Sequence, residues 1–360
     1  MADWESTGVT ADPGRVHTEG RMVRVALEDA RDRVADLFGV RSRQVVLTSG
    51  GTEAINAAVW GVLRADPGPV ACAEVEHSAV RDASARSGPI ATIAVDGSGR
   101  IEREAIDAAF AHSRAAFGRN PALVHCQWAN HEVGTVQPIA AVVEHCRDHG
   151  VPIHVDAVAA GGHVPVDLGA LDADLVSVSS HKLGGPVGVG ALILRRGLRV
   201  EPFLVGGEQE RARRAGMENV LGAIGFGAAA STLAAPGAME SERMTAQRQS
   251  DRLSQLALAT TGVTRFGHPL ERLPHIVCLG VEGVEAEPVL LGLDQAGIAV
   301  HSGSSCSSES LEPSPVLMAM GVDGERSLRL SVGWSTTDSD IDAFCAVFGS
   351  VVGSLRSLRS

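Results

Sequence analysis

From about Val45 the chain alternates short apolar runs with segments whose apolar positions recur at helical spacing. Val45–Thr48, Val70–Ala73, Ile90–Val95, Leu123–Gln127, Ile153–Val155, Leu175–Ser179 and Ala191–Leu194 read as strands. Helical patterns over Glu53–Leu63, Ala79–Arg86, Arg103–His112 and Ile139–His149 lie between several of them. This alternation predicts an α/β fold with a mainly parallel central sheet. Ligands bind such sheets where strands give way to loops at their carboxyl ends. The alternation weakens after about Phe226, and Leu233–Ala238 interrupts a helical stretch. The expected division is a large α/β domain over 1–235 and a smaller α+β domain over 236–360. The latter holds a polar helix around Glu240–Leu258, apolar Ile276–Leu279 and Val289–Gln295, and strand-like Leu328–Val332.

Charge and cysteine usage narrow the function classes. Lys plus Arg is 31 against 43 for Asp plus Glu, a formal net charge of -12. Such a surface repels phosphate backbones and anionic lipids, which argues against nucleic-acid and membrane-surface partners. The six cysteines, Cys72, Cys126, Cys146, Cys278, Cys306 and Cys345, form no C-x-x-C pair and no zinc-like spacing. The first residues lack a basic region followed by an apolar run, and no apolar stretch is long enough for a membrane span. The expectation is a cytoplasmic, reducing compartment in which thiols stay free to act as nucleophiles.

Four segments carry candidate chemistry. An apolar strand delivers Lys182 into a loop with four glycines, SHKLGGPVGVG. Desolvation there would lower the lysine's pKa and free its amine for Schiff-base chemistry, although a surface lysine at a strand end fits the same pattern. Asp156 ends the strand IHVD, where a carboxylate can pair with a protonated pyridine nitrogen or simply cap the next segment. Thr48-Ser-Gly-Gly51-Thr52-Glu53 follows a strand and opens a helix, which makes an anion site for phosphate or an ordinary cap supplied by Thr52. Cys306 sits in the Ser/Gly-rich stretch SGSSCSSES, where nothing in the pattern would bury it. It is either a mobile nucleophile or an incidental residue in a linker.

In order, DPGRVHTEGR, LTSGGTEAINAA, EHSAV, NHEVGTVQPI, HVDAV, SVSSHKLGGPVGVGAL, GGEQERARRAGMENV, SGSSCSSESLEPS and SLRLSVGWST resemble the signatures of cysteine desulfurases of the NifS/IscS type. These are class-V, fold-type-I pyridoxal-phosphate enzymes, and the resemblance runs from about Pro13 to Asp342. It implies that Lys182 carries pyridoxal 5'-phosphate, Asp156 pairs with its pyridine nitrogen, and His77 stacks on its ring and assists proton transfer. Gly51, Thr52, Ser179 and His181 would hold the phosphate, and Asn130 and Arg329 the substrate carboxylate. The implied reaction converts L-cysteine to L-alanine and leaves the sulfur on Cys306 as a persulfide. A homodimer would then deliver it to an acceptor protein, and the short acceptor loop resembles the class serving iron–sulfur and thio-modification pathways. Two substitutions and the start depart from the family pattern. Ala159 stands where Gln is usual, Met217 where Thr is usual, and a segment normally preceding DPGRVH is missing. These departures keep two other readings open: a selenocysteine lyase or other carbon–sulfur lyase, and a low-activity sulfur-relay or scaffold subunit.

Overall fold

A computed structural model describes residues 1–302 and 313–358. Seven strands form the larger sheet: β1 (Val45–Thr48), β2 (Val70–Ala73), β3 (Ile90–Ile93), β4 (Leu123–Gln127), β5 (Ile153–Asp156), β6 (Leu175–Ser179) and β7 (Gly190–Leu194). Their order is β1-β7-β6-β5-β4-β2-β3. The strands β6, β5, β4, β2 and β3 pair in parallel, whereas β7 runs antiparallel to both β1 and β6. The reversal has a simple cause. Parallel partners need a crossover of about a dozen residues or more, and the loop 180–189 is too short to supply one.

Every residue of β1, β2, β4, β5, β6 and β7 is buried, which is why they read as unbroken apolar runs. β3 ends at Ile93 rather than Val95, because Asp96 closes a turn by accepting from Ser98 N and Arg100 N. The helix starting at Arg103 runs on to Phe117, past the expected His112, and stops at left-handed Gly118. Helix Thr18–Leu37 was not expected from the pattern. It buries Val23, Leu27, Ala30 and Val34 and packs closely on helix Val220–Ala234, where a Cβ on Gly227 would lie 2.7 Å from Ala30 Cα.

A second sheet is wholly antiparallel. It comprises β8 (Val263–Phe266), β9 (Ile276–Val281), β10 (His301–Ser302) and β11 (Ser327–Ser331) in the order β10-β11-β9-β8. Helices Ala238–Leu258, Ala286–Gln295 and Asp338–Ser357 cover it with Leu253, Leu293, Phe344 and Phe348 over Val277, Leu279, Leu328 and Leu330. The chain reaches this layer through an 82° bend between helices Val220–Ala234 and Ala238–Leu258. Among the described residues no single helix is long and apolar enough to cross a membrane. The topology leaves one edge of the large sheet where β1, β2, β4, β5 and β6 all end, and the candidate chemistry collects there.

Candidate active site

β6 ends at Ser179, and the chain turns at once through the tight helical turn Ser180–Leu183, which carries His181 and Lys182. Gly184 closes that turn at φ 80°, a left-handed conformation that suits glycine. The strand thus places the lysine one turn beyond its own buried end. Lys182 is exposed in this single chain, the surface placement that the strand-end pattern also allows. Ser179 Oγ and His181 Nδ1 lie 3.0 Å apart.

Asp156 ends the neighbouring strand and is buried, with 7 % of its surface accessible. Its Oδ1 accepts from Val158 N at 2.9 Å. Burial raises its pKa, while the Val158 amide and the electrostatic influence of His77, His131 and Lys182 work against that rise. The carboxylate therefore lies within electrostatic reach of all three groups. That juxtaposition is the core of the site.

At the end of β1, helix Gly51–Ala65 begins with Gly50 as its N-cap, and no side chain caps it. Thr52 is exposed and does not serve as the cap. Glu53 folds back to accept from Ser49 N at 2.8 Å and is gripped by Arg214, also at 2.8 Å. The first N–H groups of the helix stay available for an anion beside Ser179. Close packing keeps the surface bare here, since a Cβ on Gly51 would meet Val158 Cγ2 at 2.7 Å.

After β2, His77 caps helix Ser78–Ser87 by accepting from Ala79 N through Nδ1 at 3.0 Å. A neutral ring in this bond carries its proton on Nε2. After β4, Asn130 is fully buried. Its amide donates to Val75 O at 3.1 Å, and its Oδ1 accepts from Glu132 N and Val133 N. Asn130 therefore fastens a turn and, in this arrangement, offers no surface to a carboxylate or a cofactor. What the turn presents instead is His131, whose ring meets His77 edge-on with centroids 4.9 Å apart. Arg329 reaches across from β11 and donates to His131 O at 3.2 Å. Ser314 Oγ donates to Glu132 Oε2 at 2.5 Å. Cys306 lies outside the described residues. β10 pairs His301 with Arg329, and Ser314 sits on Glu132.

The structure adds Glu76, which the sequence reading passed over. Its side chain is buried, Oε1 accepts from Gln127 N at 2.7 Å, and Oε2 has no hydrogen-bond partner. Burial, reinforced by the Asp156 carboxylate, pushes its pKa up to about 8. The unfolded chain releases this proton near pH ~4.3, so the group's contribution to stability is full below that pH and is lost as pH rises toward the folded value. In urea unfolding, the wild type is expected to lose on the order of 3 kcal/mol more than Glu76→Gln between pH 5 and pH 8. Identical pH dependence in the two proteins would contradict a protonated Glu76.

Comparison with known proteins follows the same lines as the geometry. The family described as aminotransferase class-V matches residues 4–344. The chain belongs to the class-V aminotransferases. It is 39% identical over 359 residues to a cysteine desulfurase of Cereibacter sphaeroides, covering 96% of this chain and 90% of that one. It is 37% identical to a cysteine desulfurase IscS of Methanosarcina thermophila, covering 96% and 86%. The structure of a NifS-like protein from Rickettsia africae superposes with a TM-score of 0.87 at 27% identity, over 97% of this chain and 94% of that one. The class-V fold accounts for the mixed, mainly parallel sheet and for a site assembled at its carboxyl edge.

Proposed function

We propose that this class-V aminotransferase is a pyridoxal-phosphate-dependent cysteine desulfurase. One observation carries the reading: the buried Asp156 carboxylate lies within electrostatic reach of Lys182, His77 and His131, near a helix N-terminus without a side-chain cap. The residues present fit the cofactor by their chemistry. Asp156 suits a protonated pyridine nitrogen, and the His77 ring offers a face for stacking. The helix beginning at Gly51, with Thr52, Ser179 and His181, suits a phosphate. Bound there, the cofactor supplies an electron sink for bonds at the substrate Cα.

The chain's own groups supply the rest. The Lys182 amine takes up and returns the Cα proton, and His77, which carries its proton on Nε2, serves proton transfer at the substrate. Arg329 grips the substrate carboxylate through its planar fork, the role that Asn130 is too buried to share. Cys306 as thiolate attacks the sulfur of L-cysteine. A sulfur–sulfur bond forms, the Cβ–S bond breaks, and a proton replaces sulfur on Cβ, so L-cysteine plus thiol gives L-alanine plus persulfide. An acceptor protein then takes the sulfur.

We further propose a homodimer. Val187 and Val205, each 78% exposed, and Met217, 62% exposed, sit on segments linked by Asn219 Nδ2 donating to Gly188 O and Ala215 N to Leu204 O. A second copy would cover this apolar area. Met217 supplies an apolar contact there, in place of a hydroxyl. Ala159 packs with Ala129, Ala160, Leu273 and Ile276, so the site has a methyl group where relatives place an amide.

The test loads the purified protein with cofactor, adds L-cysteine, and quantifies alanine, pyruvate and protein-bound persulfide. Alanine with persulfide is the expected result, and pyruvate with ammonia would favour another carbon–sulfur lyase. Cys306→Ala should keep the yellow colour and lose nearly all persulfide. Undiminished persulfide would move the acceptor role to another thiol.

A further inference from the structure

Two imidazoles stack against the Lys182 turn. The rings of His163 and His275 lie with centroids 3.7 Å apart and planes inclined by 29°. His163 follows β5, and its Nε2 lies 2.9 Å from Lys182 O. A carbonyl can only accept, so this nitrogen carries the proton. His275 belongs to the other sheet: it directly precedes β9, and its main-chain oxygen accepts from Val332 N at 3.0 Å, just past β11. Trp334, two residues further on, also touches the turn. Its indole Cδ1 and Nε1 would lie 3.6 and 3.7 Å from a Cβ on Gly184. A cleft of about 320 Å³ opens beside the stack, lined by Glu242, Thr245, Gln249 and Trp334.

We propose that the His163–His275 stack is a positioning element for Lys182, holding the lysine's main chain and tying its placement to the second sheet. The proposal rests on reading Lys182 as the cofactor-bearing amine. The Lys182 side chain extends from main chain that the His163 bond holds, so that bond helps to set where its amine can reach. The His163 bond fixes the carbonyl of that very residue. His275 buttresses the ring that makes the bond, and Trp334 leans on the other end of the turn.

With centroids 3.7 Å apart, the stack disfavours charging both rings at once. Burial lowers the pKa of His163, and the Lys182 charge lowers it further, against the opposing pull of the Lys182 carbonyl. Burial holds His275 well below the ordinary range, helped by His163, Lys182 and Arg329. Glu242, the acidic residue lining the cleft, is itself raised by burial and offers the stack little countercharge. Both histidines have depressed pKa values, so their contribution is complete above the usual imidazole range and is lost as pH falls through the folded values. Acid should therefore loosen the Lys182 turn.

Two readouts test this on the full-length protein. One is amide hydrogen exchange over residues 180–185 without cofactor; the other is the rate at which the loaded protein loses its visible band. His163→Ala is expected to speed both about tenfold at pH 8. His163→Gln keeps a donor for Lys182 O, so it should match the wild type at pH 8 and, with exchange expressed as protection factors, lose less protection than the wild type between pH 7 and pH 5.5. If His163→Ala does not fold, the comparison of His163→Gln with wild type across that pH range decides alone. Equal rates in wild type and His163→Ala, or His163→Gln as impaired as His163→Ala, would overturn the positioning role. A wild type that never acquires the band would instead refute the cofactor reading, and hydrogen exchange would still report on the stack.

Discussion

Replacing Lys182 with alanine is expected to lower alanine formation from L-cysteine by roughly 10²–10⁴-fold or more, because the variant loses both the amine that bonds the cofactor and the base at Cα. The stability of the fold should be nearly untouched, since Lys182 is exposed and its carbonyl bond to His163 survives the change. Asp156→Asn makes the informative contrast. It keeps shape and an acceptor for Val158 N, but removes a charge within electrostatic reach of His77, His131 and Lys182. Activity should fall steeply while cofactor still binds. Turnover assays with absorbance spectra of the loaded proteins check both, and a Lys182→Ala protein with more than a tenth of wild-type activity would refute the assignment.

The largest expected effect on stability lies away from the chemistry, at Arg31. Its guanidinium is 2 % exposed and grips Glu210 with two bonds of 2.5 and 2.7 Å, while also donating to Val45 O. Glu210 in turn accepts from Leu47 N at 2.8 Å, so the pair bolts the 209–214 turn onto β1. The turn needs the bolt, because Glu210, Arg211 and Ala212 hold φ values of 48°, 59° and 59°, a region unfavourable for residues with a Cβ. Burial opposes the Arg31 charge, and Glu210 more than restores it. Arg31→Ala would leave a buried carboxylate without its partner, at a cost of about 3–5 kcal/mol. The urea midpoint should fall accordingly, while an apolar double replacement such as Arg31→Met with Glu210→Leu should be far milder. The effect should reach the candidate site, since Arg214 at the end of this turn grips Glu53 in the first turn of helix Gly51–Ala65. A drop below about 1 kcal/mol in Arg31→Ala would show that the pair contributes little.

Much of this architecture is legible in the residues themselves. Strands such as Val70–Ala73 and Leu175–Ser179 are covered on both faces, so their apolar runs are continuous and their limits clear. Helix Thr18–Leu37 is harder to see, because Arg31 occupies a core position whose partner lies far along the chain. The antiparallel course of β7 follows from loop length, a quantity that apolar periodicity does not carry. In the site, Lys182, Asp156 and His77 are marked by strand ends and motifs. Glu76, His131, His163 and His275 are not, because their roles depend on neighbours from other strands or from the second sheet. Arg329 touching His131 is such a case. Asn130 is a motif residue at the same edge whose buried side chain bonds the backbone of its own turn and Val75 O.

The reversed strand β7 also works as a spacer. Gly190 pairs with Thr48 on one side and Ser179 on the other, so the two flanks of the anion pocket stand two strand widths apart, roughly 10 Å. A Cβ at Gly190 would press on Val178 O and Gly50 Cα at 2.7 and 2.8 Å. The missing methyl group therefore lets the Gly50 peptide cross close over β7 and carries the helix start toward Ser179.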